Sequence, residues 1–535
     1  MTAPPIQQPP SAPQHLVQPQ SSGLHPHQDM PWRKAPLEVL IHVFSFVVDA
    51  EPPYRSHGPP DAQFTHPPIG WLRLGHINSV WRRALLGNAS FWAKSIGVYA
   101  RAMHEMLMRA GPSALLRVEL PFSHGLPTES GLAELLQACR DDQVALLNRL
   151  QALIIENDVN PAGPELEEAS TLFTSPLPEL QELELSFSHF SEPYKKDLNK
   201  TLDAPKLQKI SLLNCCFTGV WLAPALASLQ IVMRRRPMYQ WIASPEYILG
   251  VLDACKHTLR RVHLENVFWD DRPAEELRIA TRTDRVYLPH LTSLYLSDFA
   301  GEAAVFLTGL ALPPTARAKV EVSKHRLRSD QAGTTVFQEL VRAALGEHPG
   351  RFNALRMHDD DRDPTNPDDG FDIDLYELPS ETKEHHCAWF AGLQPAVSFH
   401  IECDGSPYLI YPYIRDDFTE DILVPVLSEH VPDIQKLAFA LGEVQNFEDE
   451  GEPESHVGHI MDYAAGATTV AIEDPYAYGC PVMGAFSEWE RLSCVDTLCI
   501  LYRVRDKGKK VDSWGLSNDL GKRASTIPTV HIDQA

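Results

Sequence analysis

The sequence predicts an α/β protein in which a short helical domain is followed by an array of units, each supplying one strand and one helix. Apolar residues follow helical periodicity between residues 32 and 98, and a leucine spacing typical of short strands recurs after residue 110. In addition, 44 prolines among 535 residues favour many short elements over long helical rods. A coiled coil or a long helical bundle is therefore disfavoured.

The chain is acidic, with 71 Asp and Glu residues against 47 Lys and Arg residues and a formal charge of −24. This charge argues against a nucleic-acid or anionic-membrane surface as the partner. The nine cysteines lack a CxxC pair and metal-ligand spacing, so we predict nine thiols in a reducing compartment. The first basic residue is Arg33, and no apolar stretch reaches the roughly 20 residues of a membrane helix. We therefore expect a soluble protein of the cytoplasm or nucleus.

Composition divides the chain into regions. Many prolines and glutamines with few aliphatic residues predict a disordered tail at residues 1–31. Residues 32–98 are expected to form the helical domain, with a proline-rich insert at 49–68, where six prolines exclude regular structure. The repeat array is expected at 99–510 and a C-terminal tail at 511–535.

The first helix of the helical domain is predicted to begin near Pro36. Proline is tolerated in a first helical turn, and Glu38 lies near the positive end of the helix dipole. One apolar stripe comprises Leu37, Leu40, Val43, Phe44 and Val47. Other faces carry Val39, Ile41, Phe46 and Val48. A short helix that is apolar nearly all round must be covered from more than one side.

Three stretches of this domain, at residues 36–44, 77–82 and 91–96, resemble the F-box. The F-box pattern reads Leu-Pro-x-Glu-Val-Leu-x-x-Ile-Phe, then Val-Cys-x-x-Trp-Arg, then Leu-Trp. Here Ala35 stands where leucine is usual and Asn78 where cysteine is usual. The proline-rich insert resembles those of the large F-box families of mushroom-forming fungi. The resemblance covers about 60 of the 535 residues.

The resemblance implies a three-helix F-box that binds the Skp adaptor of a cullin–RING ubiquitin ligase. Size favours this interpretation over an ordinary domain with a private core, because about 50 ordered residues cannot by themselves hide so many large side chains. The candidate adaptor-binding residues are Pro36, Leu37, Leu40, Val43, Phe44, Ile77, Trp81 and Trp92. Trp81 and Trp92 above all are also candidates for holding the three helices together. Alanine at Leu40 and Phe44 is expected to weaken adaptor binding by several kcal/mol.

The spacing L-x-x-L-x-x-L-x-L occurs in four full copies and several partial ones. Its last three residues alternate as in a strand with one buried face, and helical stretches lie between copies. With a period near 26–32 residues, the pattern resembles an irregular leucine-rich repeat, which implies an α/β solenoid with one continuous sheet. The residues that open the final L-x-L of each copy, taken as strand anchors, are Leu153, Leu183, Ile210, Val262, Leu294, Leu437 and Leu498.

Two parts of the array carry a weaker signal. The long step from Ile210 to Val262 is interpreted as two equal steps, which places a missing strand midway. Between residues 300 and 430 the phase is lost, although 355–357 and 397–399 are plausible strands. The acidic run at 359–374 lacks the spacing of an EF-hand and is expected to be a solvated loop.

No pattern supports a catalytic, metal or cofactor site. A zincin-like start at His104 has Met108 where the second histidine ligand is needed, and the cluster at 384–387 has no second cluster to pair with. We therefore expect a non-enzymatic chain that needs no metal or cofactor.

The interpretation that follows is the substrate-recognition subunit of an SCF-type (Skp–cullin–F-box) E3 ubiquitin ligase. It would bind a Skp-family adaptor, and through it a cullin, and hold an unidentified protein target on the array. Strand residues expected to line the target-binding face are Glu182, Glu184, Ser293 and Tyr295. One alternative is a non-catalytic repeat scaffold in which the helices only cap the array, and another is a hydrolase with an unrecognised site.

Overall fold

The chain divides into two compact units, residues 1–91 and residues 92–535. In this computed structural model the class is mixed α/β, as predicted, with a large and predominantly parallel sheet. The tail predicted at 1–31 and most of the predicted insert lie outside the described residues. The structure describes residues 35–53, 69–120, 131–141, 146–157, 170–187, 197–198, 200–234, 243–268, 285–323, 331–345, 351–359, 370–378, 393–402, 423–440, 455–473, 494–502 and 529–534.

The first unit is built from short helices. Pro36 precedes the first of them, and its carbonyl oxygen accepts a hydrogen bond from Leu40 N at 3.1 Å. Asn78 caps another, because its Oδ1 accepts from Trp81 N at 2.9 Å. The asparagine that departs from the F-box pattern therefore has a local role in starting a helix. The elements are α1 (Leu37–Ala50), a 3-10 helix (Gly70–His76), α2 (Ser79–Leu86) and α3 (Ala89–Ala93), and the division between the units falls within α3.

Large side chains form the interior of this unit. Leu40, Phe44 and Val48 make one buried stripe of α1, spaced one helical turn apart. The ring of Phe44 meets that of Trp81 edge to face, with centroids 5.0 Å apart. Trp71 of the 3-10 helix is fully buried. The unit thus has a core that includes residues from three of its helices.

The two ends of the proline-rich insert lie against each other. Trp71 N donates to Glu51 O at 2.9 Å, and Arg73 forms an ion pair with the Glu51 carboxylate. Gly70 has φ +53°, and a Cβ at this position would lie 2.5 Å from Glu51 O. This close approach therefore requires glycine. Helix α1 runs to Ala50, so the predicted start of the insert at residue 49 is wrong, because the last turn of α1 continues until the first proline, Pro52, approaches.

We expect Gly70→Ala to lower the free energy of unfolding of the first unit by about 1–3 kcal/mol. Alanine would have to adopt the left-handed conformation and press its Cβ against the Glu51 carbonyl. Tryptophan fluorescence during thermal unfolding would measure the loss. Gly75→Ala is the control, because a Cβ there would meet only the Leu85 side chain, at an ordinary 3.7 Å. Equal melting temperatures for both variants would contradict the requirement for glycine at residue 70.

The boundary between the units lies between Phe91 and Trp92, before the predicted residue 98. The reason is that Ile96 extends the edge of the sheet. Its N donates to Arg117 O at 3.2 Å, and its O accepts from Glu119 N at 2.8 Å. Residues after Phe91 therefore belong with the second unit.

The second unit contains a sheet of 15 strands within the described residues. The strands, in chain order, are β1 (Leu116–Leu120), β2 (Leu150–Asn157), β3 (Glu182–Phe187), β4 (Asp197–Leu198), β5 (Leu202–Asp203), β6 (Lys209–Leu213), β7 (Cys216–Phe217), β8 (Trp221–Leu222), β9 (Ser228–Val232), β10 (Arg261–Glu265), β11 (Val286–Tyr287), β12 (Ser293–Phe299), β13 (Leu310–Ala311), β14 (Arg317–Ser323), β15 (Ala354–Asp359), β16 (Gly370–Tyr376), β17 (Val397–Glu402), β18 (Lys436–Ala440), β19 (Thr469–Glu473), β20 (Thr497–Tyr502) and β21 (Thr529–Gln534). The order across the large sheet is β1-β2-β3-β6-β9-β10-β12-β14-β17-β16-β15-β18-β19-β20-β21. The remaining strands form three two-stranded pairs, β4–β7, β5–β8 and β11–β13.

Helices connect many of these strands. They are Met103–Ala110, Gly131–Asp141, Pro245–Ala254, Ala300–Thr308, Gln331–Leu345, Val424–His430 and Ser455–Tyr463, with 3-10 turns at Ala100–Ala102 and Leu172–Thr174. Parallel neighbours need such crossovers, because a strand must return to the same end of the sheet before the next one begins.

One row of residues crosses the large sheet in continuous register, and it contains every predicted strand anchor. The row is Val118, Leu153, Leu183, Ile210, Leu229, Val262, Leu294, Ala318, Val397, Leu375, Leu355, Leu437, Val470, Leu498 and Val530. The predicted strand anchors are therefore confirmed residue for residue. The shared spacing works because neighbouring parallel strands place equivalent residues side by side.

Two predictions about the strands are wrong. The strand missing between Ile210 and Val262 is centred near Leu229, closer to Ile210, because a helix separates β9 from β10 whereas only short strands separate β6 from β9. The predicted C-terminal tail at 511–535 contains β21, which pairs in parallel with β20. The alternating Val530 and Ile532 are the signal that this strand carries in the sequence.

One strand of the large sheet runs antiparallel to its neighbours in the region where the repeat phase is lost. The plausible strands at 355–357 and 397–399 are present as β15 and β17. Between them, β16 runs antiparallel to both, and it occupies the second half of the acidic run at 359–374. The expectation of a solvated loop is therefore wrong for residues 370–374, because this strand pairs with a neighbour on each side and Asp372, Ile373 and Asp374 are buried. Residues 360–369 lie outside the described residues.

Asparagine side chains bind the ends of neighbouring strands together. Asn214 follows β6 in the left-handed conformation, at φ 57°. Its Nδ2 donates to Phe187 O at 2.6 Å, and its Oδ1 accepts from Arg234 N at 2.9 Å. Asn266 follows β10 with φ 52°, and its Nδ2 donates to Met233 O at 3.2 Å. These amides satisfy backbone groups that the parallel ladder leaves open.

Candidate functional site

The first unit exposes large apolar side chains on the outside of its helices. On α1, Val39, Val43 and Phe46 follow i, i+4, i+7 spacing and are exposed, and Phe46 keeps 63% of its surface accessible. This stripe lies beside the buried stripe of Leu40 and Phe44. We call the exposed residues of this unit the apolar surface: Leu37, Val39, Val43, Phe46, Ile69, Ile77, Val80 and Leu86.

The predicted adaptor-binding residues separate into two groups. Pro36, Leu37, Val43 and Ile77 are exposed, Ile77 to 56%. The others turn inward: Leu40 and Phe44 are buried, Trp81 is half-buried and Trp92 is buried. The structure therefore places half of the predicted residues where a partner could touch them directly.

The two tryptophans have different surroundings. Trp81 packs edge to face on Phe44, and its Nε1 has no hydrogen-bond acceptor among the described residues. Trp92 belongs to the second unit, where the Arg109 guanidinium lies 4.4 Å from the centre of its ring. For both residues the observed contacts are internal ones.

Sequence reasoning missed Val39, Phe46, Ile69, Val80 and Leu86 as surface candidates. A signal was present for the first two, because Val39 and Phe46 fall outside the apolar stripe that α1 needs for its own core. His42 lies between them in the sequence, and its ring meets the Phe46 ring edge to face, with centroids 5.0 Å apart. The apolar surface is thus edged by an exposed polar ring.

A second candidate region lies on the large sheet, on the face opposite to the row of strand anchors. The residues predicted to bind the target lie on this face: Glu182, Glu184 and Tyr295 are half-buried and Ser293 is exposed. Glu182 accepts from Arg117 Nη1 at 2.7 Å and from Lys209 Nζ at 2.8 Å. Burial opposes ionisation of Glu182, but these two cations outweigh it and lower its pKa. Glu182 therefore presents a charge that is already paired.

Farther along the same face, β15, β16 and β17 hold a buried polar network. His358 Nε2 lies 3.1 Å from Asp374 Oδ2, and His400 Nδ1 lies 3.0 Å from Asp372 Oδ1. The Tyr376 hydroxyl donates to Asp374 Oδ2 at 3.2 Å. The carboxylates are nearly inaccessible to solvent, so each needs these partners.

The pKa values in this network shift in opposite directions. Burial opposes the charged imidazolium of His358, but its hydrogen bond to Asp374 and the nearby carboxylates outweigh burial and raise its pKa above 6.5. Burial likewise opposes ionisation of Asp374, but the His358 hydrogen bond and charge lower its pKa below 3.8. The charged pair is therefore the favoured form in the folded sheet.

This pair should make stability depend on pH at both ends. A raised histidine pKa contributes stability that is complete below 6.5 and is lost as the pH rises through the folded-state value. A lowered aspartate pKa contributes stability that is complete above 3.8 and is lost as the pH falls through the folded-state value. We expect the melting temperature of wild type to exceed that of His358→Gln most between about pH 4 and 6.5. Exposed His104→Gln is the control, and a difference independent of pH would contradict the ion pair.

The contacts of the network do not have the order that nucleophile activation requires. The Ser398 hydroxyl hydrogen-bonds to the Asp374 carboxylate, so the aspartate lies between the serine and His358. In an activated pair the imidazole would lie between the hydroxyl and the carboxylate. The described residues hold no group of three or more His, Cys, Asp or Glu side chains suited to a metal ion. The cluster predicted at 384–387 lies outside them, and His104 is exposed on a helix.

Other sequence features have plain outcomes. The cysteines that the structure describes as thiols are Cys215, Cys216, Cys255, Cys494 and Cys499. Among the described helices, none combines the length and the apolar character needed to cross a bilayer.

Comparisons with protein-family models, with curated proteins and with solved structures find no match to this chain.

Proposed function

We propose that this chain is the substrate-recognition subunit of an SCF-type ubiquitin ligase, with an F-box in the first unit and a leucine-rich-repeat-like solenoid in the second. The observation that supports it most is the apolar surface of the first unit. Isolated apolar side chains are normal on a protein, but Val39, Val43 and Phe46 form an exposed stripe on α1, and five more exposed apolar side chains lie on the same small unit, which favours an interaction site. An F-box offers such a surface to the helices of a Skp-family adaptor.

The free energy available from burial of the apolar surface favours a stable complex over a transient one. Removing a valine, leucine or phenylalanine side chain from water contributes about 1.5–3 kcal/mol when burial is complete. The apolar surface carries a phenylalanine and seven aliphatic side chains. Complete burial of all eight would contribute about 12–24 kcal/mol, against an association cost of about 4–15 kcal/mol, so a lasting assembly needs most of the apolar surface to be buried.

The second unit would then hold the target. The ligase delivers a charged ubiquitin carrier to a lysine that is kept nearby, so the receptor raises effective concentration and forms no covalent bond itself. The long sheet supports this role, since its face presents polar and aromatic side chains on many adjacent strands. The adaptor would connect the chain to a cullin.

The scaffold alternative requires the helices only as a cap for the edge of the array. The edge strand β1 already has a partner within its own unit, because Ile96 pairs with Val118. One paired residue leaves the rest of β1 for a cap to cover, so adaptor binding is the measurement that separates the two functions.

The test is reconstitution from purified proteins. The full chain is mixed with a recombinant Skp-family adaptor and then with the amino-terminal part of a cullin, and complexes are separated by size-exclusion chromatography. We expect a 1:1:1 complex that forms only when the adaptor is present. A chain that is folded by circular dichroism but binds no adaptor would overturn the proposed function.

A further inference from the structure

A row of cations and hydroxyls crosses the large sheet on the face opposite to the row of strand anchors. Its members occupy five neighbouring strands and are paired residue to residue. They are Lys209 on β6, Ser228 on β9, Arg261 on β10, Ser293 on β12 and Arg317 on β14. A cation therefore stands on every second strand, with a serine between. We call these five residues the cationic row.

The cationic row is accessible. Lys209, Arg261, Ser293 and Arg317 are exposed and Ser228 is half-buried. Since strand residues alternate between the two faces, none of the five competes with the buried anchor row for space in the core. The row is therefore a surface feature and not part of the packing.

Its two arginines have no carboxylate partner among the described residues. Within these five strands the carboxylates on the same face are Glu265 and Glu321, each four residues beyond the arginine of its own strand. Glu321 Oε1 lies 2.6 Å from Lys319 Nζ, and Glu265 Oε2 lies 3.6 Å from His263 Nε2, a contact that is an ion pair only when the histidine is protonated. Only the first cation of the row is paired, because Lys209 donates to Glu182. In a chain of charge −24, Arg261 and Arg317 thus leave a local excess of positive charge.

The spacing of the cations selects among anionic partners. Adjacent strands lie about 4.8 Å apart, so cations on alternate strands are roughly 10 Å apart. A polyproline II segment rises about 3.1 Å per residue with three residues per turn, so side chains on one side recur every 9.3 Å or so. A β-strand peptide presents same-side residues roughly every 6.8 Å and does not match. Serine hydroxyls between the cations can donate to peptide carbonyls, which a polyproline II backbone leaves open.

We propose that the cationic row binds an acidic peptide in the polyproline II conformation, which lies across the strands with a glutamate or aspartate at every third residue. Guanidinium groups suit carboxylates because they form two parallel hydrogen bonds with them. This inference rests on the proposed function in one respect, since it names the chemistry of the target segment. The first unit takes no part in it.

Peptide spacing is the first test, on the wild-type full chain. Fluorescence anisotropy compares a labelled peptide of four Glu-Pro-Pro repeats with one of identical composition whose four glutamates form a single block. We expect the periodic peptide to bind at least about fivefold more tightly, with affinity falling as salt rises. Equal binding of both peptides, or binding of neither, would overturn the proposal. Tighter binding of an oligothymidine with the same number of charges would overturn it too, in favour of a nucleic-acid surface.

Variants give the second test. Arg261→Gln with Arg317→Gln should weaken binding of the periodic peptide about tenfold, since each exposed ion pair contributes roughly a few-fold in affinity. Arg83→Gln with Arg260→Gln is the matched control, because it removes two exposed arginines outside the row and makes the same change in charge. The control should lose less than about twofold. An equal loss in both double variants, with folding intact by circular dichroism, would reduce the effect to net charge and refute the row.

The two proposals can fail separately. If the chain binds the periodic peptide but no adaptor, the result supports the cationic row as a peptide site and contradicts the ligase function. If it binds the adaptor but shows no peptide preference, the result supports the ligase function and contradicts the peptide site.

Discussion

Serine at both Val39 and Phe46 should weaken adaptor binding at least a hundredfold and leave the chain folded. Both side chains are exposed in the structure, so their replacement removes no internal contact of the core. If the adaptor buries them, the loss is about 3–6 kcal/mol, which corresponds to two or more powers of ten in Kd. Isothermal titration with a Skp-family adaptor measures it.

The matched control for this variant lies in the second unit. Val220 and Leu222 are also exposed aliphatic residues, at 62% and 47%, and their replacement by serine makes a similar change in surface hydrophobicity. We expect this control to bind the adaptor with the affinity of wild type. If the Val39/Phe46 variant binds equally well, the apolar surface is not the adaptor site.

Alanine at both Leu40 and Phe44 should unfold the first unit. Each side chain retains only 1% of its accessible surface, and Phe44 packs against Trp81. Truncation of buried leucine or phenylalanine costs about 2–5 kcal/mol per site, and a small unit has little stability to lose. The double variant should therefore lose adaptor binding through loss of structure, which differs from the sequence-based expectation of a direct contact.

Hydrogen exchange followed by mass spectrometry distinguishes these mechanisms. Amides of α1 and α2 should exchange rapidly in the Leu40/Phe44 variant, while those of the large sheet keep their wild-type protection. The Val39/Phe46 variant should show wild-type protection throughout. Protection of α1 in the Leu40/Phe44 variant would contradict the packing described for this unit.

Much of the second unit could be predicted from leucine spacing. Leu153, Leu183 and Leu294 each lie within a strand and on one register row, because burial of a strand face against its neighbours demands the same residue type at the same position. The strand order around β16 could not be predicted in this way. Its Asp372 and Asp374 look like loop residues in sequence, and hydrogen bonds from neighbouring side chains, those of His400 and His358 among them, make their burial tolerable.

For the candidate site, the sequence indicated the segment but not the side of the helix. Val39 and Leu40 are adjacent apolar residues, and periodicity alone is compatible with either stripe of α1 facing inward. The contact between Phe44 and Trp81 decides it, and this contact joins helices that are separated by the insert. The cationic row likewise cannot be recognised from the sequence, because its five members come from five strands.

The sequence by itself determined that a short, highly apolar helical segment precedes an α/β array, and it located nine strands of the large sheet. Both depend on local periodicity, which a chain carries in every short window. Only the tertiary structure decided which apolar side chains stay in water, which carboxylates are buried, and which cations line up across the sheet. Those outcomes depend on contacts between residues far apart in the chain, and spacing along the chain does not encode them.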